Sequence, residues 1–536
     1  MLDRHRNDAY IQCSMEGKMT MTVPMPLRLL LRVFIAIAFV TAVSAAQISC
    51  SGGSSGYGGI SIQVRYTPPG HTSVRSERSP EFLKRMSLPS GAATVAVGVT
   101  GTGFAPITRE FSADLNPYGA AISGVPAGSN RVINISVLDD AGAVIASGAS
   151  FGIQILANKV NPVNVFITSK GVFTPLDSRP APRAFAVTVP LSDGTYMIMG
   201  GVTDQQSSCG AGCIQLSATP QTEVYDPRTG TFTQGTSMIE PRVLFAAGAL
   251  SDGTVVVAGG SDAVDVACGV TACSLFVPPG HAKSSVEIYY PSSHSFYETR
   301  PLLTPRAGLT ASVLPGDTVL FTGGVGTNGP LNSAELLDMG TGKSTQYLMT
   351  YPRAFHAAAG FAGGGVMVAG GSGAGAGAEF FQSTGFSLSN NISFEGSFPS
   401  AVPVPATGEV VLNGGFDAGW TPIARLVIVD PVKNAVDGYT GMSLPRALFS
   451  DVPLGDGTVL IAGGVTTSAF TATASADVFD PASKSFTAHP VMTQARAGYA
   501  SQPLRDGTAL LIGGFSSIDP VTGKVILLNT AEIYNP

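Results

Sequence analysis

Arginine and carboxylate side chains recur at matching positions along the second two-thirds of the 536-residue chain. A guanidinium group can bind a carboxylate through two parallel hydrogen bonds, so such a set could hold an anionic ligand or form ion pairs inside the protein. The arginines are Arg183, Arg242, Arg306, Arg353, Arg446 and Arg496. The carboxylates are those of Glu223, Glu287, Glu335, Glu379, Asp477 and Glu532.

One further repeat of this pattern favours the ion pairs. In the fifth repeat, Ser397 stands in place of the arginine and Val427 stands in place of the acid. Joint loss is expected if each arginine pairs with the acid of its own repeat, because an orphaned buried charge costs roughly 3–5 kcal/mol. We therefore predict six structural ion pairs, with ligand-binding arginines as the alternative.

Four cysteines could form bonds with one another. Cys209 precedes Cys213 by four positions, and Cys268 precedes Cys273 by five. In an oxidising compartment, close pairs of this kind are typical of local disulfides, which stiffen a loop while adding little to global stability. We predict one disulfide in each pair.

Four Asp-Gly-Thr triplets could be mistaken for calcium sites. They begin at Asp193, Asp252, Asp456 and Asp506. Each triplet offers one carboxylate, whereas calcium takes about six to eight oxygen ligands. Asp-Gly between apolar runs is instead typical of a hairpin turn, so the triplets predict turns.

These residues belong to a unit that recurs seven times from residue 183 onward. Each unit opens with a Pro-Arg type pair, continues to a turn, and rises through an apolar strand that ends in Gly-Gly. A strand of the Glu-Val-Tyr-Asp-Pro type and a Ser/Thr-Phe-Thr strand follow. The opening pair begins 18 positions before the first glycine in every unit, as from Pro182 to Gly200. Four short strands per unit are typical of a β-propeller blade.

The repeat resembles that of the kelch family, whose mark is a Gly-Gly doublet followed by a Glu/Tyr strand. The resemblance covers residues 171–536, although Phe232, Phe296 and Phe486 stand where the family usually has Trp. It implies a seven-bladed β-propeller. Unit seven ends after its third strand, and residues 171–174 resemble a spare fourth strand. We therefore predict that this N-terminal strand completes the last blade and removes an exposed sheet edge.

The loop after the Gly doublet varies in length while the rest of the unit does not. It is longest in units seven, one and two, which become neighbours once a ring closes: residues 515–531, 202–222 and 261–286. Binding residues favour loops on rigid scaffolds, so these loops are expected to line one side of the axial opening as a ligand surface. The alternative is decorative insertions. The candidate binding residues are Asp204, Gln205, Gln206, Asp262, Asp265 and His281.

An enzyme is the alternative to a binding protein. Kelch-like blades occur in galactose oxidase, whose copper site needs two Tyr, two His and a Cys cross-linked to one Tyr. Beyond residue 170 the histidines are His281, His294, His356 and His489, and no Tyr-His neighbours occur. Neither sialidase-type Asp boxes nor a nucleophile elbow is present. We predict no enzymatic activity, metal or cofactor. The alternative is a carbohydrate-active or galactose-oxidase-like enzyme lacking the recognisable copper site.

The N-terminal segment predicts export. Two arginines precede an apolar run at 33–43 that ends in small residues, so residues 1–46 are typical of a signal peptide. Residues 47–55 are a Gly/Ser-rich tether. Within it, Cys50 resembles the lipid-modified cysteine of a bacterial lipoprotein, although the preceding residues depart from the usual lipobox. A lipid anchor through Cys50 and plain secretion both stay open.

The remaining segment and the composition complete the prediction. Residues 56–170 alternate apolar and polar residues and predict a small Ig-like or prealbumin-like β-sandwich. Charged residues make up 12% of the chain, the net charge is -6, and no Lys/Arg-rich run occurs, which disfavours nucleic acid as a partner.

We therefore expect an all-β protein in which a seven-bladed kelch-type β-propeller follows a small β-sandwich domain. Its expected function is that of an exported, non-catalytic binding or scaffold protein that holds a protein or a glycan on the loop-rich face. Its expected location is the cell envelope, in the periplasm or on the outer surface, or the medium after secretion.

Overall fold

The computed structural model describes residues 11–13, 19–21, 56–69, 88–113, 121–269, 272–373, 375–519 and 524–536. All regular structure in these ranges is β, and none of their segments is a helix long and apolar enough to cross a membrane. The chain divides into two compact units, Met1–Ser54 and Ser55–Pro536.

The described part of the first unit is a short antiparallel pair, β1 (Ile11–Cys13) and β2 (Met19–Met21). The apolar run of the predicted signal peptide, the tether and Cys50 lie outside the described residues.

The second unit begins with one nearly closed seven-stranded sheet. Its strands are β3 (Tyr57–Tyr66), β4 (Thr94–Thr100), β5 (Ile107–Ser112), β6 (Ala121–Pro126), β7 (Gly128–Leu138), β8 (Val144–Ile155) and β9 (Val160–Ser169), in the order β5-β4-β7-β8-β9-β3-β6. Successive side chains of a strand point to opposite faces, and one face buries residues such as Val97, Ile133 and Val165. The sequence predicted a sandwich; instead β3 pairs with both β9 and β6, which joins the strands into one sheet.

Seven further sheets, each built on four strands, follow from residue 173 in the described part of the chain. Their first strands are β11 (Val187–Pro190), β17 (Ala246–Ala249), β23 (Thr310–Leu314), β28 (Ala357–Phe361), β32 (Ser400–Val404), β36 (Ser450–Pro453) and β40 (Ala500–Pro503). Their second strands are β12 (Tyr196–Met199), β18 (Val255–Ala258), β24 (Thr318–Thr322), β29 (Gly365–Ala369), β33 (Glu409–Asn413), β37 (Val459–Ala462) and β41 (Ala509–Ile512).

The outer strands complete these sheets. The third strands are β15 (Thr222–Asp226), β21 (Val286–Tyr290), β26 (Gly329–Asp338), β30 (Gly377–Gln382), β34 (Ile423–Asp430), β38 (Ala476–Asp480) and β44 (Ala531–Tyr534). The fourth strands are β16 (Thr231–Gln234), β22 (Ser295–Glu298), β27 (Lys343–Arg353), β31 (Gly385–Ser393), β35 (Ala435–Arg446), β39 (Ser485–Ala488) and β10 (Phe173–Pro175). The insertions add β13 (Val202–Gly210), β14 (Cys213–Ala218), β19 (Ala263–Cys268), β20 (Cys273–Phe276), β25 (Val325–Gly326), β42 (Phe515–Ile518) and β43 (Val525–Leu527).

The second strands hold the sheets together through burial on both faces. All four residues of Val255–Ala258 are buried, and Val257 shares one apolar cluster with Met197 of the preceding sheet. Removing such side chains from water stabilises by roughly 25 cal/mol per Å² of apolar surface. Each strand of this kind therefore packs its sheet against the next one along the chain.

The sheets follow one another in cyclic order. Each first strand contacts the first strand of the next sheet, and β40 of the last sheet contacts β11 of the first. The last sheet takes its fourth strand from the other end of the region, since β10 pairs antiparallel with β44 and places Phe173 opposite Tyr534. The N-terminal strand thus lies where the sequence analysis expected it.

A belt of left-handed backbone lies where the seven first strands begin. We call these seven residues the axial belt: Phe185, Leu244, Gly308, Phe355, Phe398, Leu448 and Gly498. Their φ angles lie between 52° and 63°, a region that costs a non-glycine residue about 1–3 kcal/mol. Backbone hydrogen bonds between units offset this cost, such as Phe355 N to Gly308 O at 2.9 Å and Phe185 N to Gly498 O at 2.6 Å.

Candidate functional site

The six arginines predicted to form ion pairs are buried at the start of their sheets, each at most 2% exposed. Five of them contact the acid of the same unit. The nitrogen–oxygen distances are 2.9 Å for Arg183–Glu223, 2.8 Å for Arg242–Glu287, 3.2 Å for Arg353–Glu379, 3.3 Å for Arg446–Asp477 and 2.7 Å for Arg496–Glu532. Buried groups in these pairs offer nothing to a ligand in solvent, which favours the structural interpretation.

The sixth arginine is bound differently. Arg306 Nη1 donates to the carbonyl oxygens of Gly323 at 2.7 Å and Ser333 at 2.9 Å, while Ser344 Oγ donates to Glu335 at 2.6 Å. Within the described part of the chain, no ion pair joins Arg306 to Glu335. Burial lowers the pKa of Arg306 to about 10, and the charge of Glu335 offsets part of that effect.

In each unit that has an arginine, the first glycine of the doublet accepts a hydrogen bond from that arginine. Arg242 Nη1 donates to the carbonyl of Gly259 at 2.7 Å, so the guanidinium lies over the doublet. A Cβ on Gly259, whose φ is +65°, would stand 2.6 Å from the carbonyl oxygen of Arg306. Glu287 also accepts the backbone N–H of Ile239 at 2.7 Å. The pair therefore fixes the chain segment that enters each sheet.

The fifth unit corrects one assignment made from the sequence. Gly371 N donates to Gly396 O at 2.6 Å, which is the bond that Gly324 N makes to Arg353 O in the preceding unit. Gly396 therefore stands at the arginine position, and the assignment of Ser397 to it is wrong. The first hairpin of this unit is one residue longer than those of the other units. Counting 18 positions back from the glycine doublet therefore aligned Ser397, rather than Gly396, with the arginines.

The long insertions of units one and two form a sheet of their own, in the order β13-β14-β19-β20. The hairpin β42–β43 of unit seven joins this sheet through Gln206. The side-chain amide of Gln206 donates to Val525 O at 2.9 Å and accepts from Val525 N at 3.0 Å. We call these six strands the lid. Three insertions that are distant in sequence thus converge, as the loop lengths predicted.

The lid covers the axial belt rather than lining one side of an opening, so the predicted geometry is wrong in this respect. Leu216 and Val264 of the lid share one apolar cluster with Phe416 and Phe470 of units five and six. Belt residues, Phe398 among them, pack against the same cluster. Alternate residues of β14 and β19, such as Leu216 and Val264, face this cluster. Burial of that apolar face draws the lid onto the belt.

Four of the six candidate binding residues are accessible. Asp204 and Gln205 are exposed on β13. Asp262 and His281 form a pair with Oδ1 and Nδ1 2.5 Å apart, and their side chains are 44% and 38% exposed. The structure therefore leaves polar groups of two insertions accessible to solvent.

The other two candidates serve the lid itself. Gln206 is occupied by the backbone of Val525. Asp265 is only 7% exposed and accepts a hydrogen bond from Gln215 Nε2 at 3.0 Å across neighbouring strands. Both side chains are held within the lid by these hydrogen bonds.

Both predicted disulfides are confirmed, since the sulfur atoms of Cys209–Cys213 and of Cys268–Cys273 lie at bonding distance. The two bonds are consistent with an oxidising, exported location. Asp265 lies beside the first of them, with ligand atoms of the three residues within 4.8 Å of one another. Metal ligation would need thiolates, and sulfurs bonded to each other do not offer them.

A cavity of about 290 Å³ lies at the axial belt. All seven units line it with their belt residue and the residue that follows, including His356. His356 Nε2 lies 2.8 Å from Thr322 Oγ1 and 3.2 Å from Thr310 Oγ1. Burial lowers the pKa of His356 to about 3, with help from the positive charge of Arg353. The imidazole is therefore neutral and held by the two threonines.

The remaining histidines and the Asp-Gly-Thr turns lie apart from this cavity. His294 Nδ1 is 3.2 Å from the hydroxyl of Tyr289, and His489 Nδ1 is 2.7 Å from Asp477 Oδ1. Asp193 Oδ1 accepts hydrogen bonds from Thr195 N at 2.9 Å and Thr195 Oγ1 at 2.6 Å, and the other three triplets repeat this arrangement. The triplets are turns, as predicted.

The sequence analysis did not identify one buried carboxylate, that of Asp451 on β36. Asp451 Oδ2 accepts from Asn413 Nδ2 at 2.6 Å, while Asp451 Oδ1 and Asn413 Oδ1 are both buried without a partner. Burial raises the pKa of Asp451 to about 7. A protonated Asp451 has an O–H for the amide oxygen, which would satisfy both atoms. The signal available in the sequence was one acid inside an otherwise uncharged first strand.

The chain matches no protein-family model and no curated protein. Any family or function is therefore assigned from the repeat and the geometry of the site.

Proposed function

We propose that residues 171–536 form a seven-bladed β-propeller of the kelch type, and that the protein is an exported, non-catalytic binding protein. The cyclic contacts of the seven first strands support the ring. The axial belt supports it further, because each unit contributes one left-handed residue at the same place. Pairing of β10 with β44 supports closure between the two ends of the repeat region.

The observation that carries the binding proposal is the lid. Insertions from three units assemble into one body, two disulfides stiffen it, and a shared apolar cluster anchors it to the belt. Folding alone does not require such an assembly, because units three to six complete their sheets with much shorter connections. Rigid scaffolds that present loops are typical of recognition surfaces.

We propose that the ligand is a protein or a glycan held on the solvent side of the lid. Asp204 and Gln205 on β13, and the pair of Asp262 and His281 beside β19, supply the polar contacts. The exposed carboxylates can accept hydrogen bonds from hydroxyl or amide groups, and His281 can donate or accept according to its tautomer. Phe276, which is 38% exposed at the end of β20, adds apolar surface.

The test is direct binding to an immobilised glycan panel and to solubilised envelope proteins, with mass spectrometry of what is retained. The triple variant Asp204→Ala, Gln205→Ala, His281→Ala is expected to lose at least about 90% of retained ligand, as when central contacts are removed from an interface. Lys343→Ala, an exposed residue at the opposite end of the strands, is the matched control. Equal retention by all three proteins would refute the proposed surface.

A further inference from the structure

The Cys209–Cys213 disulfide closes the hairpin turn between β13 and β14 at the surface of the lid. Cys209 is exposed and Cys213 is half-buried. Gly210 and Gly212 lie between them with φ angles of +136° and +69°, so the turn depends on glycine. A cross-link over so few residues removes little entropy from the unfolded chain. Global stabilisation therefore gives little reason for this bond.

The second disulfide of the lid is placed differently. Cys268 and Cys273 are directly opposite each other on β19 and β20, and Cys273 is only 5% exposed within the apolar cluster beneath the lid. Cys268 N also donates a hydrogen bond to Gly212 O at 2.8 Å. This hydrogen bond supports the turn that carries the first disulfide. Cys268 is half-buried and Cys273 is buried, so the protein contains one accessible disulfide beside one that is more shielded.

A buried carboxylate accompanies only the accessible bond among the described residues. Asp265 is 7% exposed, its carboxylate lies within 4.8 Å of the sulfurs of Cys209 and Cys213, and Gln215 Nε2 holds its Oδ1. The proposed ligand surface does not use this acid. A fixed carboxylate at a disulfide can take a proton from a thiol and return it to a leaving thiolate.

We propose that Cys209–Cys213 is an exchange-active disulfide that accepts two electrons from a partner carrying two neighbouring thiols. The partner is an exported protein or peptide in its dithiol form. This inference does not depend on the proposed ligand surface, because it requires only the exposed sulfur of Cys209, the sulfur of Cys213 and the carboxylate of Asp265.

The exchange proceeds in two balanced steps. A thiolate of the partner attacks Cys209 Sγ, the Cys209–Cys213 bond breaks, and the electron pair leaves on Cys213 Sγ. Asp265 takes the proton of the partner's second thiol and passes it to the Cys213 thiolate. The second sulfur then attacks the partner's first sulfur, which releases Cys209 to take a proton from water. The partner leaves as a disulfide and the protein keeps two thiols.

The first test uses the wild-type protein. Dithiothreitol is added under native conditions, and thiols are alkylated over time and quantified by mass spectrometry of peptides. Cys209 and Cys213 are expected to react at least roughly tenfold faster than Cys268 and Cys273, because exposed disulfides are the labile ones. Equal rates, or faster reduction of the shielded bond, would overturn the proposal without any variant.

The second test uses a short peptide with two cysteines as the probe. Cys213→Ser is expected to form a peptide adduct with the free Cys209 once the peptide is supplied as its disulfide, whereas Cys273→Ser is expected to give no adduct at Cys268. In the otherwise wild-type chain, Asp265→Asn is expected to increase the lifetime of the mixed disulfide several-fold. The rate at which the peptide thiolate first attacks Cys209 is expected to stay unchanged. An unchanged lifetime would remove Asp265 from the mechanism, and adducts at both sites would refute the selectivity.

Discussion

The pair of Arg242 and Glu287 offers a quantitative test of what the repeated charges do. Both side chains are fully buried, and Arg242 Nη2 lies 2.8 Å from Glu287 Oε1. Removing Arg242 leaves Glu287 uncompensated in the interior, and removing Glu287 leaves Arg242 with only the partly exposed Glu240, 3.2 Å from Arg242 Nη2. Either loss typically costs about 3–5 kcal/mol. The double variant removes both charges of the pair, so neither of them is left without its partner. We therefore expect Arg242→Ala and Glu287→Ala to lose about 3–5 kcal/mol each, and the double variant to lose about 1–3 kcal/mol less than their sum.

The same chain supplies a matched control in unit three. Arg306 and Glu335 occupy the equivalent positions, but Arg306 is bound to carbonyl oxygens and Glu335 to Ser344. The coupling free energy of Arg306→Ala and Glu335→Ala is therefore expected to be smaller, below about 1 kcal/mol.

Urea unfolding of the four proteins in each cycle measures both coupling energies. The single tryptophan, Trp420, reports on the lid cluster through its contacts with Phe416 and Phe470, and circular dichroism reports on the sheets. Coincident transitions justify a two-state free energy for each variant. Additive losses at Arg242 and Glu287, or equal coupling in the two units, would refute the argument that direct contact sets the energy.

Three further results are expected. Phe173→Ala removes the contact between Phe173 and Tyr534, whose rings are 5.0 Å apart, and should cost about 3–5 kcal/mol in urea unfolding; a loss below 1 kcal/mol would mean that β10 does not hold the last sheet. The folded-state pKa of Asp451 is raised to about 7 from 3.8, so its favourable contribution is complete below pH 3.8 and is lost as pH rises through 7. The melting temperature of Asp451→Asn should therefore rise relative to that of the wild type between pH 4 and 7. A constant difference between the two melting temperatures across that range would contradict the raised pKa of Asp451. Gln206→Ala frees the backbone of Val525, and amide exchange at residues 515–518 and 525–527 should accelerate at least about tenfold by mass spectrometry while β11 stays protected.

Much of the fold was predictable because it is local and repeated. A glycine doublet that follows the start of the opening pair by 18 positions identifies each sheet, since every copy meets the same packing problem. The two disulfides were predictable for the same reason, because four or five residues of separation leave only local partners. The position of Gly396 was not predictable, because one extra residue in the first hairpin of unit five leaves no mark on the glycine doublet from which the positions were counted.

The candidate site depended on contacts between distant segments. Loop lengths predicted that three insertions would converge, yet they could not predict that Gln206 would bind the backbone of Val525, 319 residues away. The polarity of Asp265 suggested a ligand contact, whereas the side chain is buried beside Cys209 and Cys213 and accepts a hydrogen bond from Gln215. Polarity is visible in a sequence, but exposure is not.

The sequence by itself determined the all-β class, the number of repeated sheets, five of the six ion pairs and the two disulfides. Each of these follows from residues that meet within one unit, where the chain path is short and the hydrogen-bonding pattern is local. Only the tertiary structure decided that the lid covers the axial belt, that Arg306 lacks its acid, and that Asp451 is buried beside Asn413. Those outcomes depend on which surfaces exclude water when separate units pack together, and that free energy belongs to the assembled chain rather than to any one segment.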